Sequence, residues 1–327
     1  MTTALFILAI VAGFAVLIWG AERFIDGAAS IATNLGISPL IVGLTIVGFG
    51  TSAPEMLVSA LASFDGVPAM GVGNALGSNI TNIGLVLGIT ILITPLTVNS
   101  ASLKREFPML ALVMAIALYL VWDLELSHLD GIILFSGFII TLFGMAYLAV
   151  KSTVKDPLAQ EFEQQFAEHK MSTKKAVLSF SIGLIFLLVG SKALVWGATG
   201  IALLLGVSDL IIGLTIVAIG TSLPELAASI ISALKNEHDI AVGNILGSNM
   251  FNLLAVLAMP GLIAPSVLEP MILLRDFPVM IALTIVLFLF AYFGKNGRIG
   301  RVAGSLMLVS YIAYNSLLAV QSSQGII

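Results

Sequence analysis

The sequence predicts an all-α polytopic membrane protein, with ten transmembrane helices arranged as two inverted five-helix repeats. The composition excludes a water-exposed surface, because 59% of the 327 residues are hydrophobic and 10% are charged, whereas soluble domains are about a quarter charged. Apolar runs long enough to cross a bilayer recur along the whole chain. Two long stretches also repeat each other at a constant offset of 170 residues. Together these three observations give the fold class.

The length of the apolar runs indicates helices. A helix needs about 20 apolar residues to cross a bilayer, whereas the strands of a membrane barrel are about half as long and alternate with polar residues. The first run has no basic segment before it and no small-residue cleavage site, so we expect it to remain as a membrane helix. The predicted spans are residues 3–21, 38–63, 70–95, 106–122, 130–150, 176–200, 209–234, 240–264, 277–294 and 302–320.

Lysine and arginine residues predict the orientation of the chain. Basic residues concentrate in the cytoplasmic loops of membrane proteins, and here the loops on one side hold almost all of them. We therefore predict that this side is cytoplasmic and that both termini are extracytoplasmic. The residues on the basic side are Arg23, Lys104, Arg105, Lys151, Lys155, Lys170, Lys174, Lys175, Lys235, Lys295, Arg298 and Arg301, and those on the other side are Lys192 and Arg275.

A charged stretch divides the chain into halves. We predict a first five-helix repeat at 1–150, a cytoplasmic linker at 151–175 and a second, inverted repeat at 176–327. Apolar residues spaced by four within the linker favour a short amphipathic helix at the membrane interface, and a solvated linker fits the composition as well. These apolar residues are Leu158, Phe162 and Phe166.

The internal repeat determines how the two halves are related. Residues 36–108 align with residues 206–278 without a gap, and 32 of the 73 pairs are identical. Five predicted helices separate equivalent points, so the second copy enters the membrane from the opposite side. Inverted repeats of this kind place the binding site of many secondary transporters at the midplane between the two copies.

Each repeat places one glutamate at membrane depth, directly after a proline. Glu55 follows Pro54 and Glu225 follows Pro224, and an ionisable residue inside a membrane is a functional candidate by default. Proline has no N–H and displaces the carbonyl four residues earlier, so we expect a helix break and a released backbone oxygen at each site. The released carbonyls belong to Gly50 and Gly220, and hydroxyls on the same turns belong to Thr51, Ser52, Thr221 and Ser222.

The following helix of each repeat carries a second polar surface. Its polar residues are spaced by four, which places them on one helix face. Pairs of glycines beside that face, at 73 and 77 and at 243 and 247, allow another backbone to approach closely. We expect each face to pack against the glutamate of its own repeat. The polar residues are Asn74, Ser78 and Asn82 in the first repeat and Asn244, Ser248 and Asn252 in the second.

These side chains form a set of oxygen donors. Carboxylate, carbonyl, hydroxyl and amide oxygens suit Ca²⁺ or Na⁺ and do not suit zinc or copper, and the chain has no cysteine to supply thiolates. Two glutamates balance the charge of one Ca²⁺. Taken one at a time, the Ser, Thr and Asn residues could instead serve as hydrogen-bonding contacts between helices, and the glutamates could relay protons.

At these motifs the sequence resembles the cation/Ca²⁺ antiporter superfamily, in its prokaryotic sodium/calcium exchanger branch. The motifs Gly-Thr-Ser-x-Pro-Glu and Gly-x-x-x-Gly-Ser-Asn-x-x-Asn each occur twice at inverted positions, and the resemblance covers nearly the whole chain. It implies the exchanger fold, a prokaryotic inner or plasma membrane, and alternating access in which Na⁺ entry drives Ca²⁺ outward, commonly three Na⁺ for one Ca²⁺. The implied ion ligands are Glu55, Glu225, Thr51, Thr221, Ser52, Ser222, Ser78, Asn82, Ser248, Gly48 and Ala218, and we add Asn252 from its matching position.

The chain departs from some members of the family at Asn252. K⁺-dependent exchangers and an archaeal type have an aspartate there, so the asparagine argues against K⁺ dependence and leaves the Na⁺ count open. The resemblance also implies that the first and sixth helices form a long sliding gate. In this chain Glu22, Arg23 and Asp26 are expected to end the first helix, and ordinary anchoring of these helices at the interface is the alternative.

Other functions stay open from the sequence. A Ca²⁺/H⁺ or other divalent cation/H⁺ antiporter is one alternative, and a cation channel using the same ligands is another. An enzyme is not expected, since no nucleophile with a partner base lies at membrane depth and His128, His169 and His238 are in predicted loops. We expect no cofactor and no nucleic-acid partner; Ca²⁺ and Na⁺ are substrates, the surroundings are a lipid bilayer, and the oligomeric state, a monomer included, is undetermined.

Overall fold

The structure is a computed structural model of the full chain. It describes residues 2–35, 48–98, 100–151, 171–204, 214–215, 218–236, 238–294 and 297–323. The described residues form ten helices in the predicted order. They are α1 Thr2–Leu35, α2 Gly48–Phe64, α3 Pro68–Ile93, α4 Ser100–Leu120, α5 His128–Lys151, α6 Thr173–Leu204, α7 in two pieces at Ala218–Thr221 and Leu223–Leu234, α8 His238–Ile263, α9 Ile272–Phe293 and α10 Arg301–Ser323.

The helices have the length and composition of a membrane protein. Stretches of five helices are long and apolar enough to cross a bilayer by themselves: α3, α8, α9, α10 and residues 173–190 of α6. Shorter apolar helical stretches lie in α1, α4, α5 and α7. Together with these shorter stretches, the five candidates agree with the predicted ten-helix membrane fold.

The two central helices of the bundle are α3 and α8. The stretches Gly71–Thr81 of α3 and Ile240–Phe251 of α8 are buried throughout, whereas α5 and α10 expose large apolar side chains such as Phe143, Ile140 and Val309. In a membrane protein such exposed apolar surface faces lipid. The polar faces predicted on α3 and α8 therefore lie at the centre of the molecule.

Helices α1 and α6 are longer than predicted. The prediction that Glu22, Arg23 and Asp26 end the first helix is wrong, since α1 continues to Leu35 over 34 residues, and α6 extends over 32 residues. The apolar runs marked only the part with continuous hydrophobicity. The remaining residues of α1 stay helical and pack closely on α6, where Gly27 lies against the Phe180 backbone.

The backbones of α1 and α6 approach each other closely at glycines along the seam between these helices. A Cβ atom on Gly27 would lie 2.4 Å from the Phe180 backbone nitrogen, and one on Gly183 would lie 2.3 Å from that of Phe24. Such distances leave room only for glycine. The seam joins one helix from each half of the chain.

The prolines break the two glutamate helices unequally. Helix α2 runs through Pro54 without interruption, whereas α7 is interrupted at Ser222, two residues before Pro224. The expectation of a break at both prolines is therefore wrong for the first repeat. Around the interruption, Ser222 N donates to Ala218 O at 3.1 Å and Leu226 N donates to Ser222 O at 3.0 Å.

Two predicted features lie largely outside the described residues. These are the amphipathic helix of the linker, at 152–170, and the first parts of the second and seventh spans, at 38–47 and 209–213. His128 and His238, predicted in loops, are instead the first residues of α5 and α8. The division of the chain into 1–150, 151–175 and 176–327 stays a prediction.

Both central helices contain a π-helical turn at the same place in the repeat. The turns are Asn82–Leu87 in α3 and Asn252–Val256 in α8, and each begins at the last residue of the predicted polar face. A π turn adds one residue to the local helical repeat and is often found at functional sites. The two turns change the direction in which the helix presents its side chains beyond the asparagine.

Two small antiparallel sheets connect the halves. Strand β1 (Leu96–Thr97), after α3, pairs with β4 (Arg298–Ile299), before α10. Strand β2 (Glu125–Leu126), after α4, pairs with β3 (Ser266–Val267), after α8. Strands β1 and β3 are separated by the repeat offset of 170 residues. Each repeat therefore contributes a strand to the other at equivalent positions.

Candidate cation site

The two glutamates lie fully buried in the centre of the molecule. Glu55 on α2 and Glu225 on α7 are both 0% exposed and lie within electrostatic range of each other. Two ionised carboxylates in a buried site repel each other and lose their hydration. A bound cation or protonation of a carboxylate would offset both costs.

The threonine hydroxyls cross between the repeats. Thr51 of the first repeat donates to Asn244 Oδ1 at 3.1 Å and lies 3.3 Å from Ser248 Oγ. Thr221 of the second repeat donates to Asn74 Oδ1 at 3.1 Å and lies 3.4 Å from the hydroxyl of Ser78. Each polar face thus contacts the glutamate-bearing helix of the opposite repeat.

The asparagine amides, in contrast, stay within their own repeat. Asn74 Nδ2 donates to the backbone oxygen of Glu55 at 3.1 Å, and Asn244 Nδ2 donates to that of Glu225 at 3.4 Å. The prediction that each polar face packs on its own glutamate is therefore correct for the backbone carbonyl, and it is wrong for the hydroxyls. A tertiary contact of this kind leaves no signal in the spacing of residues along the chain.

The centre of the site holds unused oxygen atoms. Among the described residues, both carboxylate oxygens of Glu55 and Oε2 of Glu225 have no hydrogen-bond partner, and the other oxygen of Glu225 accepts from Ser52 only at 3.5 Å. Buried polar atoms normally find partners. Further buried atoms without partners are Ser222 Oγ, Asn82 Oδ1, and Oδ1 and Nδ2 of Asn252.

Backbone oxygens of the two glutamate helices border the same space. Gly48 O is 3.4 Å from the hydroxyl of Ser248 and 3.3 Å from that of Thr51. Ala218 O lies 3.5 Å from the Thr221 hydroxyl. These carbonyls come from equivalent positions of the two repeats, which gives the site an approximate two-fold arrangement.

The structure brings all the predicted site residues to one buried region. Every predicted ligand side chain is at most 1% exposed. Among the described residues there is no group of three or more His, Asp or Glu side chains that could hold a metal ion. The region therefore combines two carboxylates with neutral oxygens, which is a donor set for Ca²⁺ or Na⁺.

Sequence reasoning missed two contributions to the site. Asn249 accepts a hydrogen bond from Asn82 Nδ2 at 3.0 Å, which fixes the Asn82 amide and leaves its oxygen available. Phe24 on α1 is fully buried and covers Gly50, since a Cβ atom there would lie 2.5 Å from Phe24 Cζ. Asn249 lies in the repeated Gly-Ser-Asn motif, which could have drawn attention to it, whereas nothing in the sequence marks Phe24.

The sequence of the chain is similar to those of known proteins. The profile of a family described as "Sodium/calcium exchanger protein" matches residues 5–147 and 175–320. The chain is 48% identical over 310 residues to "Putative antiporter CaxA" of Alkalimonas amylolytica, covering 94% of this chain and 97% of the relative. It is 29% identical over 343 residues to "Sodium/calcium exchanger MaX1" of Methanosarcina acetivorans, covering 92% and 95%.

A solved structure has the same fold. The sodium-calcium exchanger NCX_Mj, soaked with 100 mM Na⁺ and 10 mM Sr²⁺, superposes with a TM-score of 0.78 at 34% sequence identity. The match covers 95% of this chain and 97% of that chain.

Proposed function

The chain belongs to the sodium/calcium exchanger family, and we propose that it is a secondary antiporter that exports Ca²⁺ in exchange for Na⁺ by alternating access. The observation that carries this proposal is the pair of fully buried glutamates, one from each inverted repeat, whose carboxylates have three oxygens without a hydrogen-bond partner among the described residues. A site of this kind binds cations and requires them for charge balance.

The ligands that we propose divide into two classes. Glu55 and Glu225 carry the charge and contact Ca²⁺ directly, and they also contribute to Na⁺ binding. The neutral ligands complete the coordination, since Ca²⁺ takes six to eight oxygens. They are the hydroxyls of Thr51, Thr221, Ser52, Ser222, Ser78 and Ser248, the amides of Asn82 and Asn252, and the carbonyls of Gly48 and Ala218.

Coupling follows from competition for the two glutamates. With both carboxylates ionised, the site has a charge of −2, which one Ca²⁺ or two Na⁺ neutralise. A site that changes sides only when neutralised exchanges one ion for the other and does not leak either, because moving an uncompensated charge into a low-dielectric site is unfavourable. Inverted repeats supply the two conformations, open to opposite sides.

The orientation of the chain gives the exchange its direction. We propose that both termini are extracytoplasmic and that the basic loops are cytoplasmic, which supports a location in the inner membrane of a prokaryote. An inward Na⁺ gradient then drives Ca²⁺ out of the cell. The chain requires no K⁺ in this scheme, because Asn252 supplies no third charge, and it acts as a transporter without catalysing a chemical reaction.

Flux measurements on reconstituted protein test the proposal. In vesicles loaded with Na⁺, ⁴⁵Ca²⁺ uptake is expected to require an outward Na⁺ gradient and to stay unchanged when K⁺ replaces an inert cation outside. Uptake driven by a pH gradient and indifferent to Na⁺ would identify a Ca²⁺/H⁺ antiporter. Flux without any counter-ion would identify a channel.

A further inference from the structure

We propose that Asn74 and Asn244 are positioning residues that set the direction of the threonine hydroxyl protons and so make the threonines cation ligands. The inference rests on the proposed exchange function and deepens it. Neither asparagine belongs to the proposed ligand set. Both side chains are 0% exposed. In each, the amide nitrogen donates to the glutamate backbone of its own repeat, and the amide oxygen accepts from the threonine of the opposite repeat.

The hydrogen bonds of Asn74 define which way its amide points. The backbone oxygen of Glu55 can only accept a hydrogen bond, so the group facing it at 3.1 Å must be the amide nitrogen. The amide oxygen then faces Thr221 at 3.1 Å. Because an amide oxygen only accepts, Thr221 must donate its single proton to Asn74.

The direction of this proton decides what the hydroxyl offers to an ion. A cation is attracted to the lone pairs of the hydroxyl oxygen, and the proton repels it. The acceptors that compete for the Thr221 proton are Ala218 O, three residues earlier on its own helix and 3.5 Å away, and the nearby carboxylate of Glu55. Serine and threonine commonly form such local bonds to their own helix. A bond to that carbonyl would occupy an oxygen that the proposed ion site uses.

The second repeat contains the equivalent hydrogen bonds. Asn244 Nδ2 donates to Glu225 O at 3.4 Å and to Ser229 Oγ at 3.2 Å, and its oxygen accepts from Thr51 at 3.1 Å. The acceptors that compete for the Thr51 proton include Gly48 O at 3.3 Å and the carboxylate of Glu225. The equivalence of the two arrangements connects each threonine to the opposite repeat.

Equilibrium ⁴⁵Ca²⁺ binding to the purified full-length protein tests this role separately from transport. Removing the acceptor in Asn74→Ala is expected to weaken Ca²⁺ binding about tenfold, roughly the effect of one hydrogen bond. Thr221→Val is expected to weaken it similarly. The double variant should bind no more weakly than the weaker single variant, because Asn74 acts through Thr221.

Asn79→Ala is the matched control. Asn79 lies on the same helix, is 1% exposed and donates to Met280 Sδ at 3.4 Å, so its loss reports general damage to α3. Binding should stay within about twofold of wild type in this control, the range expected of independent sites. Unchanged binding in Asn74→Ala, multiplying effects in the double variant, or equal loss in the control would overturn the proposal.

If Asn74→Ala does not fold, variants in the second repeat provide the same test. Asn244→Ala and Thr51→Val should show the same non-additive loss. A wild-type protein that binds no Ca²⁺ would instead remove the proposed function itself, and that result is seen before any variant is made.

A second inference concerns an ion pair between α1 and the end of α7. Asp26 on α1 forms an ion pair with Lys235, directly after α7, with side chains 50% and 43% exposed. The pair connects a helix of the first half to a glutamate-bearing helix of the second. From the repeat offset of 170, position 65 corresponds to Lys235, and positions 192 and 196 correspond to 22 and 26.

Asp65 carries the opposite charge to its equivalent Lys235, whereas the equivalent of Asp26 is Trp196, and the nearest charged residue to it on α6 is Lys192. Asp65 follows α2 as Lys235 follows α7, and Lys192 lies on α6 one turn before the equivalent of Asp26. Both are exposed, and within the described part of the chain neither forms an ion pair in this structure. We infer that Lys192 and Asp65 pair in the alternate conformation, at the opposite membrane face, when Asp26 and Lys235 separate.

The physical reason is the exchange of conformations between inverted repeats. If one repeat takes the arrangement of the other when the site changes sides, a contact made by α1 at one face is replaced by the contact of α6 at the other face. Exposed ion pairs contribute little to the free energy of a conformation. Ion pairs this weak can form and separate in turn without stabilising one conformation of the transporter so strongly that exchange stops.

Double-cysteine cross-linking tests the alternation, and the chain has no native cysteine. The variants are Asp26→Cys/Lys235→Cys and Asp65→Cys/Lys192→Cys, treated in membranes with a short bifunctional thiol reagent under saturating Na⁺ or Ca²⁺. We expect conditions that raise the yield of one pair to lower that of the other. No cross-link between positions 65 and 192 in any condition, or parallel yields, would overturn the inference.

A charge swap gives a readout that does not depend on reagent access. Asp65→Lys is expected to slow exchange several-fold by repelling Lys192, and adding Lys192→Asp should restore it. Lack of rescue by the swap would contradict an ion pair at these positions. Loss of exchange in the wild-type protein would contradict the proposed function and leave the cross-linking test readable.

Discussion

At the residue scale, the site depends on two carboxylates surrounded by neutral groups. Within the described part of the chain, neither glutamate has a hydrogen bond or ion pair with a lysine or arginine. A buried pair of carboxylates without basic partners is unfavourable by itself. In the proposed function the cation supplies this charge balance, and we expect function to be most sensitive to charge at the two glutamates.

Neutralising either glutamate is expected to abolish exchange. Glu55→Gln and Glu225→Gln keep the side-chain shape and remove one of the two charges, so the site no longer balances Ca²⁺. Na⁺-dependent ⁴⁵Ca²⁺ uptake should fall to the level of empty vesicles, while the protein still inserts and purifies as a single species. Substantial uptake by both variants would contradict the central role of these residues.

At the element scale, the helices are held together by very different contacts. The seam of α1 and α6 combines close backbone approaches at glycines with aromatic side chains that pack across it, such as Phe24 on Phe180. Helix α9 holds a buried ion pair, and hydrogen bonds from that pair to Tyr314 and Gln321 connect α9 to α10. These two kinds of contact predict different responses to substitution.

A side chain at the seam is expected to impair transport. Gly27→Val places a branched side chain where a Cβ atom alone would lie 2.4 Å from the Phe180 backbone nitrogen, so the seam must separate. Exchange should fall at least tenfold, the scale of a conformation destabilised by about 1.4 kcal/mol. Gly144→Val on α5 is the matched control, since nothing lies within 4 Å of a Cβ atom there. Equal activity of the two variants would exclude a close-packed seam.

The ion pair of α9 is expected to stabilise the fold only when both of its charged residues are present. Arg275 Nε donates to Asp276 Oδ1 at 2.6 Å, and their side chains are 6% and 0% exposed. Tyr314 donates to the same carboxylate oxygen at 2.8 Å, and Arg275 Nη1 donates to Gln321 Oε1 at 2.6 Å. The network thus connects the start of α9 to the last turns of α10.

Removing one partner leaves a buried charge without compensation. Arg275→Met is expected to destabilise the protein by roughly 3–5 kcal/mol, measured as a lowered melting temperature in detergent. The double variant Arg275→Met/Asp276→Asn should recover much of this loss, because no charge is then left unpaired. A double variant less stable than the single one would contradict this account.

At the scale of the whole molecule, the inverted repeats make exchange reversible. The two strand pairs and the crossed threonine contacts occur at equivalent positions of the two halves, so neither side of the membrane is structurally privileged. The Na⁺ gradient then sets the direction of Ca²⁺ movement, and the protein only couples the two fluxes.

Reversing the gradient should therefore reverse the flux. In vesicles loaded with ⁴⁵Ca²⁺, external Na⁺ is expected to drive Ca²⁺ efflux, with rates similar to the uptake driven by internal Na⁺. The efflux should fall to background when choline replaces Na⁺. Efflux that ignores the sign of the Na⁺ gradient would contradict coupled exchange.

The orientation in the membrane has its own test. An epitope at the N-terminus should be accessible to antibody from the outer face of the inner membrane, because the basic loops are expected on the cytoplasmic side. A tag after Lys295, in a predicted cytoplasmic loop, serves as the opposite control. Labelling of the N-terminus only from the cytoplasmic side would invert the proposed topology.

The sequence by itself determined the class of fold, and it predicts the residues of the site. Hydrophobicity and length predict the ten helices, because a bilayer demands long apolar segments. The gapless repeat predicts the inversion, and Glu55 and Glu225 are conspicuous because charge is rare at membrane depth. Each of these signals depends on residues that are close together or regularly spaced in the chain, so it can be recognised from the sequence alone.

Only the tertiary structure decided how the two repeats meet. The crossing of Thr51 to Asn244 and of Thr221 to Asn74, the cover of Phe24 over Gly50, and the full length of α1 all depend on contacts between residues far apart in the chain. Spacing places a side chain on a helix face but does not choose which neighbouring helix that face contacts. That choice is made by close packing at the glycines and by the demand of buried polar groups for partners.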